Sequence, residues 1–175
     1  MNLILLGGNS LQNKTWIKEV EMVFKPDFDS TRIQYYDHWQ TGEKVIGFDK
    51  ELEKMVSSLA GQKDYVIFAK SIGTFLTLKA VHRKLINPKK CIFVGTPVLW
   101  SRAHNFGADE WLEGYSIPTL FVQKTLDPVM HFADLKTLLE QLAVKNYRLV
   151  EIPGESHDYE SIDQLKGLTL KFLSG

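Results

Sequence analysis

Asp64-Tyr65-Val66-Ile67-Phe68-Ala69-Lys70-Ser71-Ile72-Gly73-Thr74-Phe75-Leu76-Thr77-Leu78 is the stretch that decides the fold. Its first half is β-branched and aromatic and reads as a strand. Its second half reads as an amphipathic helix. A serine stands at the join, with Ala69 two residues before it and Gly73 two after. Where a chain turns directly from strand to helix, bulky side chains at those two positions would collide with the neighbouring strand and helix. The serine hydroxyl is then held above the sheet edge at a helix N-terminus, the arrangement of a nucleophile elbow. A serine that merely caps a helix produces the same local pattern. The chemical reading therefore depends on partners elsewhere in the chain.

Outward from this segment, strands and helices alternate from end to end. Short apolar or β-branched runs at 2–6, 31–36, 64–68, 90–95, 117–123 and 146–151 read as strands covered on both faces. Helical patterns lie between them at 11–24, 43–60, 72–85, 131–143 and 159–173, the second ending at Gly61. This βαβ alternation predicts a single doubly wound, three-layer α/β sandwich over residues 1–175. There is no internal repeat, low-complexity segment or linker.

Two other strands end on residues that could serve Ser71. Ile117-Pro118-Thr119-Leu120-Phe121-Val122-Gln123 runs into Lys124-Thr125-Leu126-Asp127-Pro128-Val129, and Tyr147-Arg148-Leu149-Val150-Glu151-Ile152 runs into Pro153-Gly154-Glu155-Ser156-His157-Asp158. An acid follows one strand and a histidine the next. A serine hydroxyl is a poor nucleophile until a histidine takes its proton, and an acid behind the histidine fixes its tautomer. Asp127 is preferred over Asp158 as that acid, because adjacent side chains on a loop rarely face each other. Asp37 and Asp109 are weaker alternatives.

With its order Ser, Asp, His at successive strand ends, the chain resembles the small α/β-hydrolases over essentially its whole length. It departs from them at Ala69 and Lys124, where the family often has glycine. The resemblance implies a mostly parallel six-stranded sheet in the order 2-1-3-4-5-6, lacking the family's first two strands and a lid domain. It implies catalytic roles for Ser71, His157 and Asp127. It also maps Gly7-Gly8 onto a loop after the first strand that supplies half of an oxyanion hole. The backbone N–H groups of Asn9 and Ile72 would then be the two donors, and Gly8 would let the backbone approach the substrate. The expected activity is hydrolysis of a carboxylic ester, thioester or related acyl bond through an acyl-enzyme, with a small-molecule acyl substrate and no cofactor.

The other histidines have weaker claims. His38 follows the second strand and could line the cleft. Trp100 and His104 lie in the connection at 96–116, which reads as a short aromatic-rich loop rimming an open cleft and is assigned to substrate binding. His131 opens a helix and His82 reads as solvated. Lys70, beside Ser71, is expected to point away from the turn. The histidines show no metal-ligand spacing, so no metal is expected.

Composition sets further bounds. Apolar residues make up 44% of the 175 and charged residues 24%, ordinary values for a globular domain. Lys plus Arg and Asp plus Glu balance at 21 each, so no basic excess points to nucleic acid or a membrane surface. The apolar run at 3–6 is too short for a signal peptide, and no stretch approaches the ~20 apolar residues of a membrane span. Cys91 is the only cysteine and is expected to be buried and inert. The expected compartment is the cytoplasm, and oligomeric state is left open. Two rival readings remain: a hydrolase-like binding protein with little catalysis, and a flavodoxin-like nucleotide or flavin module that shares the strand order.

Overall fold

The computed structural model describes residues 1–175 and contains one six-stranded sheet. Its strands are β1 (Asn2–Leu6), β2 (Ser30–Gln34), β3 (Tyr65–Lys70), β4 (Lys90–Val94), β5 (Thr119–Lys124) and β6 (Tyr147–Ile152), in the order β2-β1-β3-β4-β5-β6. The order is the expected one, and every neighbouring pair is parallel. The central strand β3 is buried along its whole length, which explains its unbroken apolar run. β6, with a neighbour on one side only, leaves several residues half-exposed.

The helices are α1 (Gln12–Phe24), α2 (His38–Thr41), α3 (Phe48–Leu59), α4 (Ile72–His82), α5 (Val98–Ala103), α6 (Ala108–Leu112), α7 (Phe132–Gln141) and α8 (Ile162–Leu173). The crossover from β1 to β2 runs across the sheet in the opposite sense to that from β3 to β4. Right-handed crossovers therefore put α1 and α4 on opposite faces. α8 packs beside α1, and α3 and α6 pack on α4. The result is the expected three-layer sandwich.

Three local readings are corrected. The helix expected at 43–60 begins only at Phe48, because Gly47 stands at its N-cap and residues 43–47 are irregular. The segment at 96–116 is not an open loop but carries α5 and α6. That segment covers the outer side of α4, so α4 is buried on nearly every face rather than amphipathic. Phe106 and Trp111 stack around Phe75 and Phe48, with centroid separations of 5.1–6.1 Å. No helix is long and apolar enough to cross a membrane.

In a doubly wound sheet the cleft opens at the carboxyl ends of the strands, beside the point where the winding reverses. Here that point lies between β1 and β3, and the loops after β1, β3, β4, β5 and β6 converge there.

Candidate active site

The turn after β3 is as tight as its small residues require. Ser71 has φ 52° and ψ −120°, a positive-φ conformation that residues other than glycine rarely adopt. Strain of this kind is worth about 1–3 kcal/mol and is held only by its surroundings. Its N–H donates to the Val94 carbonyl at 3.0 Å, pinning the turn to β4. A Cβ on Gly73 would lie 2.8 Å from Leu6 Cβ and 2.9 Å from the Gly7 carbonyl oxygen, so the helix can start this close to β1 only with glycine there.

Asp127 lies beyond the end of β5 and is fully buried. Its loop is tied to the one after β6, where the Leu126 N–H donates to the Gly154 carbonyl at 2.9 Å and the Thr125 N–H to the Ile152 carbonyl at 3.0 Å. These bonds bring Asp127 and His157 together. His157 Nδ1 lies 2.9 Å from Asp127 Oδ2 and 3.1 Å from Oδ1, and its Nε2 lies 2.9 Å from Ser71 Oγ. A carboxylate only accepts, so Nδ1–H donates to Asp127, and Nε2 is left to accept from the serine hydroxyl. The Asp127 carboxylate has two more donors, the Val129 N–H on Oδ1 at 3.1 Å and the Tyr159 hydroxyl on Oδ2 at 2.8 Å. Tyr159 has a pKa well above the usual phenol value, chiefly because it is buried and further because of the Asp127 charge beside it. It therefore stays a donor. Sequence reasoning missed Tyr159. Its only signal was an aromatic residue two positions after His157.

The loop after β1 is anchored from below. The Asn9 carbonyl accepts from His38 Nε2 at 2.6 Å and from Trp39 Nε1 at 3.2 Å. The Asn9 side chain accepts from the Ile46 N–H at 3.0 Å and donates to the Lys44 carbonyl at 3.2 Å. The backbone N–H groups of Asn9 and Ile72 donate to no backbone acceptor, and both residues line a cleft of about 250 Å³ beside Ser71 and His157.

Four expectations about the surroundings change. His38 does not line this cleft. It is buried beneath the loop, stacked 5.8 Å from Tyr36, with its Nδ1 unpartnered. Gly8 does not line it either. A Cβ there would fall 2.8 Å from Asn13 Nδ2, so the glycine makes room for Asn13 rather than for substrate. His104 is exposed and lies behind Trp100, ring on ring at 4.0 Å, with Nδ1 bonded to the Trp100 carbonyl at 2.8 Å. Of the residues assigned to substrate binding, only Trp100 is on the cleft wall. Lys70, expected to point away from the turn, nevertheless reaches the cleft. Its side chain is buried and lines the cleft, with Nζ 2.9 Å from Asn13 Oδ1.

The alternative acids are engaged elsewhere. Asp37 pairs with Lys50 and Lys54, each at 2.8 Å, and these hold its carboxyl down at about 2. Asp109 forms a two-pronged pair with Arg102 at 2.6 and 3.1 Å. Asp158 is exposed on the rim of the cleft. His82 stands 3.4 Å from Glu110 and His131 3.5 Å from Asp134, both outside the site. No three His, Cys, Asp or Glu side chains are grouped to hold a metal ion.

Comparison with family models and with curated proteins gives no match. Solved structures do match. An uncharacterized protein from Bacillus cereus ATCC 10987 superposes with TM-score 0.76 at 16% identity, over 99% of this chain and 60% of that one. Est1E from Butyrivibrio proteoclasticus, solved with ferulic acid bound, gives 0.73 at 16% identity over 99% and 90% of the two chains. Alpha/beta hydrolase domain-containing protein 10 from mouse gives 0.72 at 13% identity over 99% and 89%. The chain thus spans about nine-tenths of the second and third but less than two thirds of the first. Identities this low speak to fold alone, and on that evidence this chain has the α/β-hydrolase fold, built on six parallel strands.

Proposed function

We propose that this protein is a serine hydrolase that cleaves a carboxylic ester, thioester or related acyl bond through an acyl-enzyme. The observation that carries this reading is the hydrogen-bonded line from Ser71 Oγ through His157 to Asp127, at 2.9 and 2.9 Å. In this mechanism Ser71 Oγ attacks the acyl carbonyl while its proton passes to His157 Nε2. Asp127 holds the imidazole in the required tautomer and stabilises it when it becomes positive. Charge then builds on the carbonyl oxygen, and the unpaired N–H groups of Asn9 and Ile72 are the donors available to it. Donors of this kind are worth roughly 3 kcal/mol each in the transition state. His157 returns the proton to the leaving group. Water, activated by the same histidine, then releases the acid and frees Ser71.

The small cleft and the Trp100 ring on its wall suit a compact substrate. Est1E, solved with ferulic acid bound, supports including a small aromatic ester among the first substrates. The test is hydrolysis of p-nitrophenyl acetate and butyrate by wild type, Ser71→Ala and His157→Ala, with fluorophosphonate labelling of each. The expected result is wild-type turnover and labelling at Ser71, with turnover falling by several orders of magnitude in both variants. Wild-type turnover at the level of the variants, with no labelling, would replace this reading with that of a binding protein on a hydrolase fold.

A further inference from the structure

Lys70 is the one lysine or arginine on this cleft, and the proposed acyl transfer leaves it without a task. It closes β3 directly before Ser71, and only 5% of it is exposed. Lysines are almost never buried to this degree without a counter-charge. Here none is in contact, since no ion pair of the molecule includes Lys70. The ammonium has three hydrogens to donate. It makes one hydrogen bond, to Asn13 Oδ1 at 2.9 Å, and stands 5.0 Å from the Trp16 ring. Asn13 is itself oriented by donating to Ser10 Oγ at 2.7 Å and to the Ser10 carbonyl at 3.3 Å, which turns its oxygen toward the lysine. Burial pushes the Lys70 pKa below the usual lysine value, with Asp158 and Asp127 acting the other way.

We propose that Lys70, held by Asn13, is the seat for a carboxylate carried by the substrate. Resting on the hydrolase reading, this names the substrate class as acyl compounds with a negative charge near the scissile bond. Lys70 and Ser71 are consecutive residues, with Cα atoms about 3.8 Å apart, and both line the same cleft. A carboxylate there would supply the missing counter-charge and accept the ammonium hydrogens that Asn13 does not use. One negative charge fits better than two, because Lys70 is the only lysine or arginine on the cleft wall and Asp158 stands on its rim. A dianionic phosphate would meet a net deficit of positive charge.

The test compares isosteric substrates that differ in charge. One pair, monophenyl adipate and its terminal amide phenyl adipamate, carries the charge on the acyl chain. The other, 4-acetoxybenzoate and 4-acetoxybenzamide, carries it on the leaving group. The quantity read is the ratio of kcat/KM for the anionic member to that for the neutral one, in which any general loss of activity cancels. We expect a wild-type ratio of at least about ten in one pair. Lys70→Met and Lys70→Gln should collapse that ratio toward one, while Lys70→Arg keeps most of it. A ratio near one in both pairs for wild type, or a ratio unchanged by Lys70→Met, overturns the proposal and leaves Lys70 a strut between β3 and α1.

A second readout does not depend on turnover. Adipate should raise the melting temperature of wild type and of Ser71→Ala above that in matched sodium chloride or adipamide, and should do so far less for Lys70→Met. Stabilisation by adipate with no hydrolysis of any ester and no fluorophosphonate labelling would refute the hydrolase and keep the anion seat. Hydrolysis of the neutral esters with neither discrimination nor stabilisation would do the reverse.

Discussion

The Tyr159 hydroxyl and the His157 ring converge on the same oxygen of Asp127, at 2.8 and 2.9 Å. Tyr159 also accepts the Lys124 N–H at 3.0 Å, so one phenol joins the end of β5 to the carboxylate that holds the histidine. Asp127 is fully buried, and its orientation is set by these donors and the Val129 N–H alone. Removing the phenol oxygen leaves the Lys124 N–H without its acceptor and lets the carboxylate rotate. Tyr159→Phe is expected to lower kcat about tenfold on p-nitrophenyl acetate with little change in KM. It should cost about 1.5–3 kcal/mol of stability, the usual range for a hydrogen bond to a charged group. Steady-state kinetics beside a denaturant titration checks both. A stability loss with unchanged kcat would mean that Tyr159 supports the fold and not the histidine.

Ser71 carries its strain whatever its side chain does, provided a Cβ is present. The conformation at φ 52° is open to glycine at little cost. Ser71→Gly should therefore gain the 1–3 kcal/mol of relieved strain and lose roughly 0.5–1 kcal/mol to the added freedom of the unfolded chain. The net expectation is about 1 kcal/mol, or a rise of about 2–4 °C in melting temperature for a domain of this size. Ser71→Ala keeps the Cβ and should show no such rise, although both variants lack the nucleophile. Melting curves of the two, side by side, decide it. Equal melting temperatures would mean that the turn is not strained.

The parts that could be read in advance are those set by one unbroken pattern. β3 is apolar throughout because both faces are covered, and Ala69 and Gly73 are small because Leu6 and Gly7 lie against the turn. Ser71 and Asp127 follow buried strands and His157 follows the edge strand β6, and their convergence follows from strand order. α2, α5 and α6 span only four to six residues, too few to show a helical period. Lys70 and His38 were misread for a common reason. Each side chain is held by a partner distant in sequence that no local pattern reveals, Asn13 for Lys70 and Asn9 for His38. Tyr159, read as the start of the helix expected at 159–173, lies before α8, which begins at Ile162, and nothing in the sequence shows whether its hydroxyl meets water or a buried carboxylate.

Asp37 supplies a pH dependence that is separate from the site. Lys50 and Lys54 hold its carboxyl at about 2, below its ordinary 3.8. A carboxylate with a depressed folded-state pKa adds stability at pH values above the ordinary one and loses it as pH falls through the folded value. The window is therefore from about 4 down to about 2. Asp37 is 39% exposed, so water and salt screen the pair, and its contribution is at most about 1 kcal/mol. Asp37→Asn should melt slightly below wild type at pH 7 and approach it as the pH is lowered toward 2. Added salt at pH 7 should shrink the difference. A gap that persists at pH 2 would assign the loss to packing instead of charge.

Cys91 gives a direct probe of the sheet's centre. It is fully buried in β4, and burial pushes its thiol up to about 12, outweighing the opposing hydrogen bonds with Tyr115 and Thr119. At pH 8 the native protein therefore presents neither a thiolate nor an accessible sulfur, and only the thiolate reacts with alkylating or disulfide reagents. Labelling should be negligible in the native protein and should reach one equivalent per chain in guanidinium, because Cys91 is the only cysteine. Its residual native rate then reports opening of β4 against β3 and β5. That rate should fall in Ser71→Gly, whose relieved turn is pinned to β4 through the Val94 carbonyl. Fast labelling of the native protein, at the rate of a free thiol, would contradict the packing of the sheet on which the site is built.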